Sequence, residues 1–114
     1  MNIIKTSKEL TVRERYKLTM DPGVKKMKNA IGSRVDVAAY AIYEDEDKDG
    51  KPQEILSIMT PEGEVLATNS ATFKRDFVKM VEVFADGGET LDAIKVIAGQ
   101  SKNGREFITC TLAD

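Results

Sequence analysis

Residues 64–88 read EVLATNSATFKRDFVKMVEVFADGG, and the fold follows from how this stretch divides. Glu64-Val65-Leu66-Ala67-Thr68 is a short strand. Asn69, Ser70 and Thr72 then offer side-chain oxygens for a helix N-cap. Phe73, Phe77, Met80, Val81 and Phe84 fall at i, i+4, i+7, i+8 and i+11, one apolar stripe of helical period. Lys74, Arg75, Asp76, Lys79 and Glu82 take the wet side, and Asp86-Gly87-Gly88 stops the helix.

Working outward, the flanking segments alternate with period two. Upstream, Val35, Val37, Ala39, Ala41 and Tyr43 share one face of a strand, while Asp36, Ala38, Tyr40, Ile42 and Glu44 share the other. The acidic stretch Glu44–Gly50 cannot pack, ends in Asp-Gly and reads as an exposed hairpin tip. Glu54–Thr60 is a second strand, and Pro61-Glu62-Gly63 turns it into the strand at 64–68. Downstream, Ala93–Ala98 and Glu106–Leu112 are two more strands, joined through the Asn103-Gly104 step of a hairpin. Before all of these, residues 10–32 read as a basic helical segment of two short helices. Thr11 and Glu14 form a capping-box pattern, Val12, Tyr16 and Met20 form a stripe, and Asp21-Pro22-Gly23 ends the first helix. Val24, Met27 and Ile31 are the stripe of the second.

The expected fold is therefore mainly β and a single domain over residues 1–114. Five strands with one helix between the third and fourth is the element order of an OB-like barrel, here with the basic helical segment packed on it.

Composition narrows the chemistry. The 114 residues are 41% hydrophobic and 32% charged, as in an ordinary folded domain, with no His and one Cys. Lack of His removes the usual neutral-pH general base, the Ser/His and Cys/His nucleophile pairs and the commonest zinc sets. A lone Cys110 makes no intramolecular disulfide and sits in a strand as a small core residue. No apolar run is long enough for a membrane span, and Met1–Lys5 is too short an apolar start for a signal peptide. The expectation is a cytoplasmic, non-enzymatic protein with no cofactor and no metal.

Two motifs imitate sites and fail. Asp45-x-Asp47-x-Asp49-Gly50 begins like an EF-hand loop, but position 8 is Pro52 and position 12 is Leu56. Gly99-Gln100-Ser101-Lys102-Asn103-Gly104-Arg105 is not a phosphate-binding Walker loop, since the Lys frame is wrong and no helix follows. It is a hairpin tip carrying two cations.

The net charge of −2 hides an asymmetry. Residues 1–34 hold nine basic and three acidic side chains, a balance of +6; residues 35–114 hold eight and sixteen, a balance of −8. Such a split suggests a basic surface for an anion. Single-stranded nucleic acid needs cations for phosphates and flat rings for bases. Lys25, Lys26, Lys28, Arg34, Lys102 and Arg105 are the candidate cations. Tyr40, Tyr43 and Phe107 are the candidate rings, with at most one of the two tyrosines outside because they point to opposite faces of the strand.

Tyr16-Lys17-Leu18-Thr19, Ile42-Tyr43-Glu44-Asp45, Ala67-Thr68-Asn69-Ser70 with Thr72-Phe73, and above all Ser101–Cys110 resemble a family of small phage and prophage single-stranded DNA-binding proteins. The similarity runs over about residues 10–112, and the last motif is the most specific. The chain departs from that family at Asn103, where a small Ala is usual, and at Leu66, where an aromatic is usual. The resemblance implies an OB-like domain that coats single-stranded DNA during phage DNA replication or recombination, in the host cytoplasm. Its partners would be single-stranded DNA and replication or recombination proteins. Homo-oligomers through an edge strand, DNA against RNA, and site size stay open. The alternative is a protein–protein interaction module, a phage adaptor or host-factor inhibitor, that uses the acidic hairpin Glu44–Asp49.

Overall fold

The computed structural model describes residues 1–113. The mid-chain reading holds closely. Strand β6 (Val65–Thr68) runs into helix α2 (Ala71–Asp86), whose Phe73 and Phe77 are fully buried and whose Met80, Val81 and Phe84 pack against the same core. Ser70 is the N-cap: its hydroxyl accepts from the Phe73 N–H at 3.2 Å.

Among the described residues, eight strands form two antiparallel-dominated sheets. The other strands are β1 (Asn2–Thr6), β2 (Lys25–Lys26), β3 (Arg34–Asp36), β4 (Ala39–Glu46), β5 (Pro52–Met59), β7 (Ala93–Gln100) and β8 (Glu106–Leu112). The first sheet has the order β1-β4-β5-β6-β2 and the second β3-β7-β8. The predicted first strand is thus one run, residues 34–46, that changes sheets midway. Val37 N–H donates to Asp92 O, just before β7 of the second sheet, and the next N–H, of Ala38, donates to Met59 O of the first, both at 2.8 Å.

The N-terminal third departs from expectation. β1 is not among the five expected strands, yet it pairs antiparallel with β4 and forms an edge of the first sheet. The capping box of Thr11 and Glu14 is present, and α1 spans Val12–Thr19. Its orientation is the reverse of the predicted stripe: Leu18 is buried, whereas Val12, Tyr16 and Met20 face solvent. The expected second helix is absent. Lys25–Lys26 pair in parallel with Leu66–Ala67, and Met27–Ala30 form one 3-10 turn that drives the fully buried Met27 into the core. Pairing carries the segment onward, because Gly32 N–H donates to Val96 O at 2.7 Å and Val96 N–H to Ser33 O at 3.1 Å.

This crossing segment also explains why the two sheets do not close. A five-stranded barrel would close through a ladder between β6 and β8. β2 occupies an edge of β6, and no ladder joins β6 to β8 among the described residues. α2 makes the connection instead: Ser70 Oγ donates to Ile108 O at 3.3 Å, and Thr109 Oγ1 donates to Asp76 Oδ2.

Three hairpins use one turn. In residues 47–51, 60–64 and 101–105, the first residue's N–H donates to the fifth's carbonyl at 2.8, 2.8 and 2.9 Å. The fourth N–H donates to the first carbonyl at 3.0, 2.9 and 2.9 Å. Position four is Gly50, Gly63 or Gly104, at φ +78°, +89° and +78°, the left-handed region that glycine enters without steric cost. Position one is Asp47, Thr60 or Ser101, whose side-chain oxygen accepts from the fifth N–H at 2.9, 3.1 and 3.2 Å. Asn103 has an ordinary negative φ, so the left-handed step of this hairpin is Gly104 alone.

The main core lies between the first sheet, the second sheet and α2, with Tyr40, Ile42, Leu56, Ile58, Ile94 and Val96 among its members. A second, smaller cluster gathers Leu10 and Leu18 on Ala39, Ala41, Met59 and Val65, the opposite face of β4 and β5. Both faces of β4 are therefore covered.

Candidate nucleic-acid interface

Leaving β6 and β8 unpaired opens a groove of about 850 Å³ between the two sheets. Its first wall is the crossing segment, with Lys26, Lys28, Asn29 and the exposed Ile31. Its floor is the first sheet. Strand alternation puts Gln53 and Ile55 on the face opposite the main-core residue Leu56, and Ala67 sits across from both Ser57 and Lys26. Asn69 Nδ2 donates to Gln53 Oε1 at 3.3 Å, holding two amides side by side along the floor. The second wall is the β7–β8 hairpin, through Ala98, Glu106, Phe107 and Ile108.

Phe107 is set by a glycine. It pairs across from Gly99, and a Cβ on Gly99 would lie 2.6 Å from Phe107 Cζ. The missing side chain lets the half-buried ring lie flat on the β7 backbone at the groove edge. The tip of the same hairpin carries Lys102 and Arg105, both exposed. Lys26, Lys28, Lys102 and Arg105 form no ion pair with any described residue, so their charge is available to an anion.

The other sequence candidates are elsewhere. Lys25 points away from the groove into an exposed pair with Glu64 at 3.2 Å. Arg34 is paired with Asp36 at 2.9 Å on β3. The expectation that Tyr40 or Tyr43 offers a ring is corrected by the structure, since each is only 5% exposed. Tyr40 meets Phe77 edge to face, centroids 5.0 Å apart, and burial pushes both phenols above their usual range. Alternation along β4 separates its two faces, but α2 and the second cluster cover one each, and β1 and β5 flank the strand on both sides. Gln53, Asn69, Ile55 and Ile31 were missed as site residues. Parity on β5 puts Gln53 and Ile55 on one face but does not mark that face as open, and nothing local marked Ile31.

The described residues hold no cluster of three or more His, Cys, Asp or Glu side chains able to hold a metal. Cys110 is buried against Met80, and burial, then the nearby Asp76 charge, pushes its thiol up to about 12, far from a reactive thiolate. Asp76 itself is held below the usual carboxylate range, first by the Thr109 hydroxyl that donates to it. No described helix is long and apolar enough to cross a membrane. Comparison with protein families, with curated proteins and with solved structures finds no match.

Proposed function

We propose that this protein binds single-stranded DNA, largely without regard to sequence and without catalysis, along the groove between the two sheets. The observation that carries this reading is the meeting of unpaired cations, side-chain amides and one accessible ring in a single open channel. Lys26 and Lys28 neutralise phosphates, Phe107 offers a stacking face, and Ile31 and Ile55 take the apolar faces of bases. Gln53 and Asn69 can each donate and accept, so they suit base edges of either type. Lys102 and Arg105 extend the cationic track at the hairpin tip.

The same proposal includes an OB-like assignment. Residues 34–46, β5, β6, α2, β7 and β8 follow the OB element order, with β2 lying where the closing ladder would run. In OB-folds the second and third strands and the last hairpin take oligonucleotides, which here are β5, β6 and residues 100–106. Coating of phage DNA in replication or recombination is the setting that the family resemblance supports.

Fluorescence anisotropy of labelled oligo-dT, titrated with the protein at several salt concentrations, is the test. Binding should weaken steeply with salt. Lys26→Ala with Lys28→Ala should leave the melting temperature unchanged and make the slope of log K against log salt shallower by about 1.4, two single-strand phosphate contacts. Lys102→Ala with Arg105→Ala should act in the same direction. Absence of binding at low salt would sink the reading. A protein partner that survives nuclease treatment and depends on the acidic hairpin would favour the interaction-module alternative.

A further inference from the structure

The cationic surface is not confined to the groove. On α1, Val12, Tyr16 and Met20 lie at i, i+4 and i+8 and are 82%, 49% and 65% exposed, while Leu18 does the packing. Arg13 and Lys17 flank this line, are exposed, and form no ion pair with any described residue. Glu14, the one acid of the helix, is occupied by Lys8 at 2.9 Å and by the Thr11 N–H. An apolar ridge edged with positive charge therefore faces outward.

Its complement sits at the other end of the β4–β5 hairpin. Glu44, Asp45 and Glu46 are exposed there, with Asp47 and Asp49 in the turn; Lys48 and Lys51 offset them only in part. β1 runs alongside, Asn2 opposite Glu44, with Ile4 and the preceding Met1 exposed. Leu18 belongs to the cluster on Ala39, Ala41 and Met59, whereas Glu46 is seven residues further along β4 than Ala39, about 24 Å at 3.4 Å per residue. No ion pair joins the two regions within the chain. Opposite charges with apolar neighbours, held apart on one hairpin, can meet only between copies.

We propose that α1 of one copy docks on the acidic end of β4–β5, and the adjoining β1, of the next. The two patches differ, so a single contact leaves one of each free: reciprocated about a two-fold axis it closes a dimer, and repeated head to tail it builds a ring or a filament. The assembly goes beyond the DNA-binding reading and does not require it.

Sedimentation velocity of the full chain without DNA tests it. At low salt the mass should rise with concentration from the monomer through the dimer, and high salt should return the monomer. Arg13→Glu with Lys17→Glu should abolish the association, and so should Asp45→Lys with Glu46→Lys, each with an unchanged melting temperature. A chain carrying all four reversals should regain it, because the complementary charges are exchanged and not lost. A monomeric parent at every salt, a single reversal pair that assembles like the parent, or failure of the fourfold variant to recover would each overturn the proposal. Oligo-dT binding by a non-assembling protein would leave the groove reading standing, and assembly without oligo-dT binding would do the opposite.

Discussion

The two faces of the β4–β5–β6 sheet are built from the same three strands and end in opposite states. On one, Tyr40, Ile42, Leu56, Ile58 and Leu66 lie in the main core that Phe73 and Phe77 of α2 help to fill. On the other, Leu18 of α1 seals one end, and beyond it Ile55, Ala67 and the Gln53–Asn69 amide pair lie open in the groove. The difference teaches where aromatic rings are spent. Large rings bring most to a sealed core, where their full area leaves water. The other face buries its own ring, Tyr43 opposite Ile55, keeps lysines, amides and alkyl groups in its open part, and takes its accessible ring, Phe107, from the neighbouring sheet. A count of aromatic residues therefore overstates the number available for stacking.

Breaking the sealed face should have the largest effect. Phe77→Ala removes a fully buried ring and the edge contact to Tyr40, and should cost about 3–5 kcal/mol, read as a drop in the denaturation midpoint. Next is the point where the two faces meet. Ser70→Ala loses the α2 cap and the hydrogen bond to Ile108 O, and should cost about 1–2 kcal/mol in the same measurement. On the open face, Gly99→Ala should change binding more than stability. The new Cβ displaces the Phe107 ring from its seat, so oligo-dT affinity should fall while the melting temperature moves little. The smallest effect is expected from Glu106→Gln, which removes a negative charge lining the groove and should tighten oligo-dT binding slightly, most visibly at low salt.

Much of this comparison was legible beforehand, and its gaps have physical causes. The stripe of α2 and the strands from residue 34 onward could be read because each has a period its neighbours lack. The stripe of α1 misled because an eight-residue helix presents few positions, and the single Leu18 outweighs three apolar residues that meet no surface. β1 was missed since five residues do not show a period, and its partner strand lies some forty residues away. Val24, Met27 and Ile31 had helical spacing, but Lys25 and Lys26 instead complete an edge of β6, a long-range pairing that overrides local pattern. Within the site, Lys26, Lys28 and Phe107 could be chosen by residue type. Gln53, Ile55 and Ile31 could not, because what recruits them is the failure of two sheets to close.

The shared turn at residues 47–51, 60–64 and 101–105 has a bearing on how such a molecule can diversify. Its geometry depends on an oxygen-bearing side chain at the first position and glycine at the fourth. Positions two and three, Lys48-Asp49, Pro61-Glu62 and Lys102-Asn103, contribute no side-chain hydrogen bond among the described residues to the turn itself. Those six positions are interchangeable lettering on three identical mounts. The charge carried at positions two and three can change with the backbone beneath it unaltered, so part of the surface charge map can evolve independently of the fold that displays it.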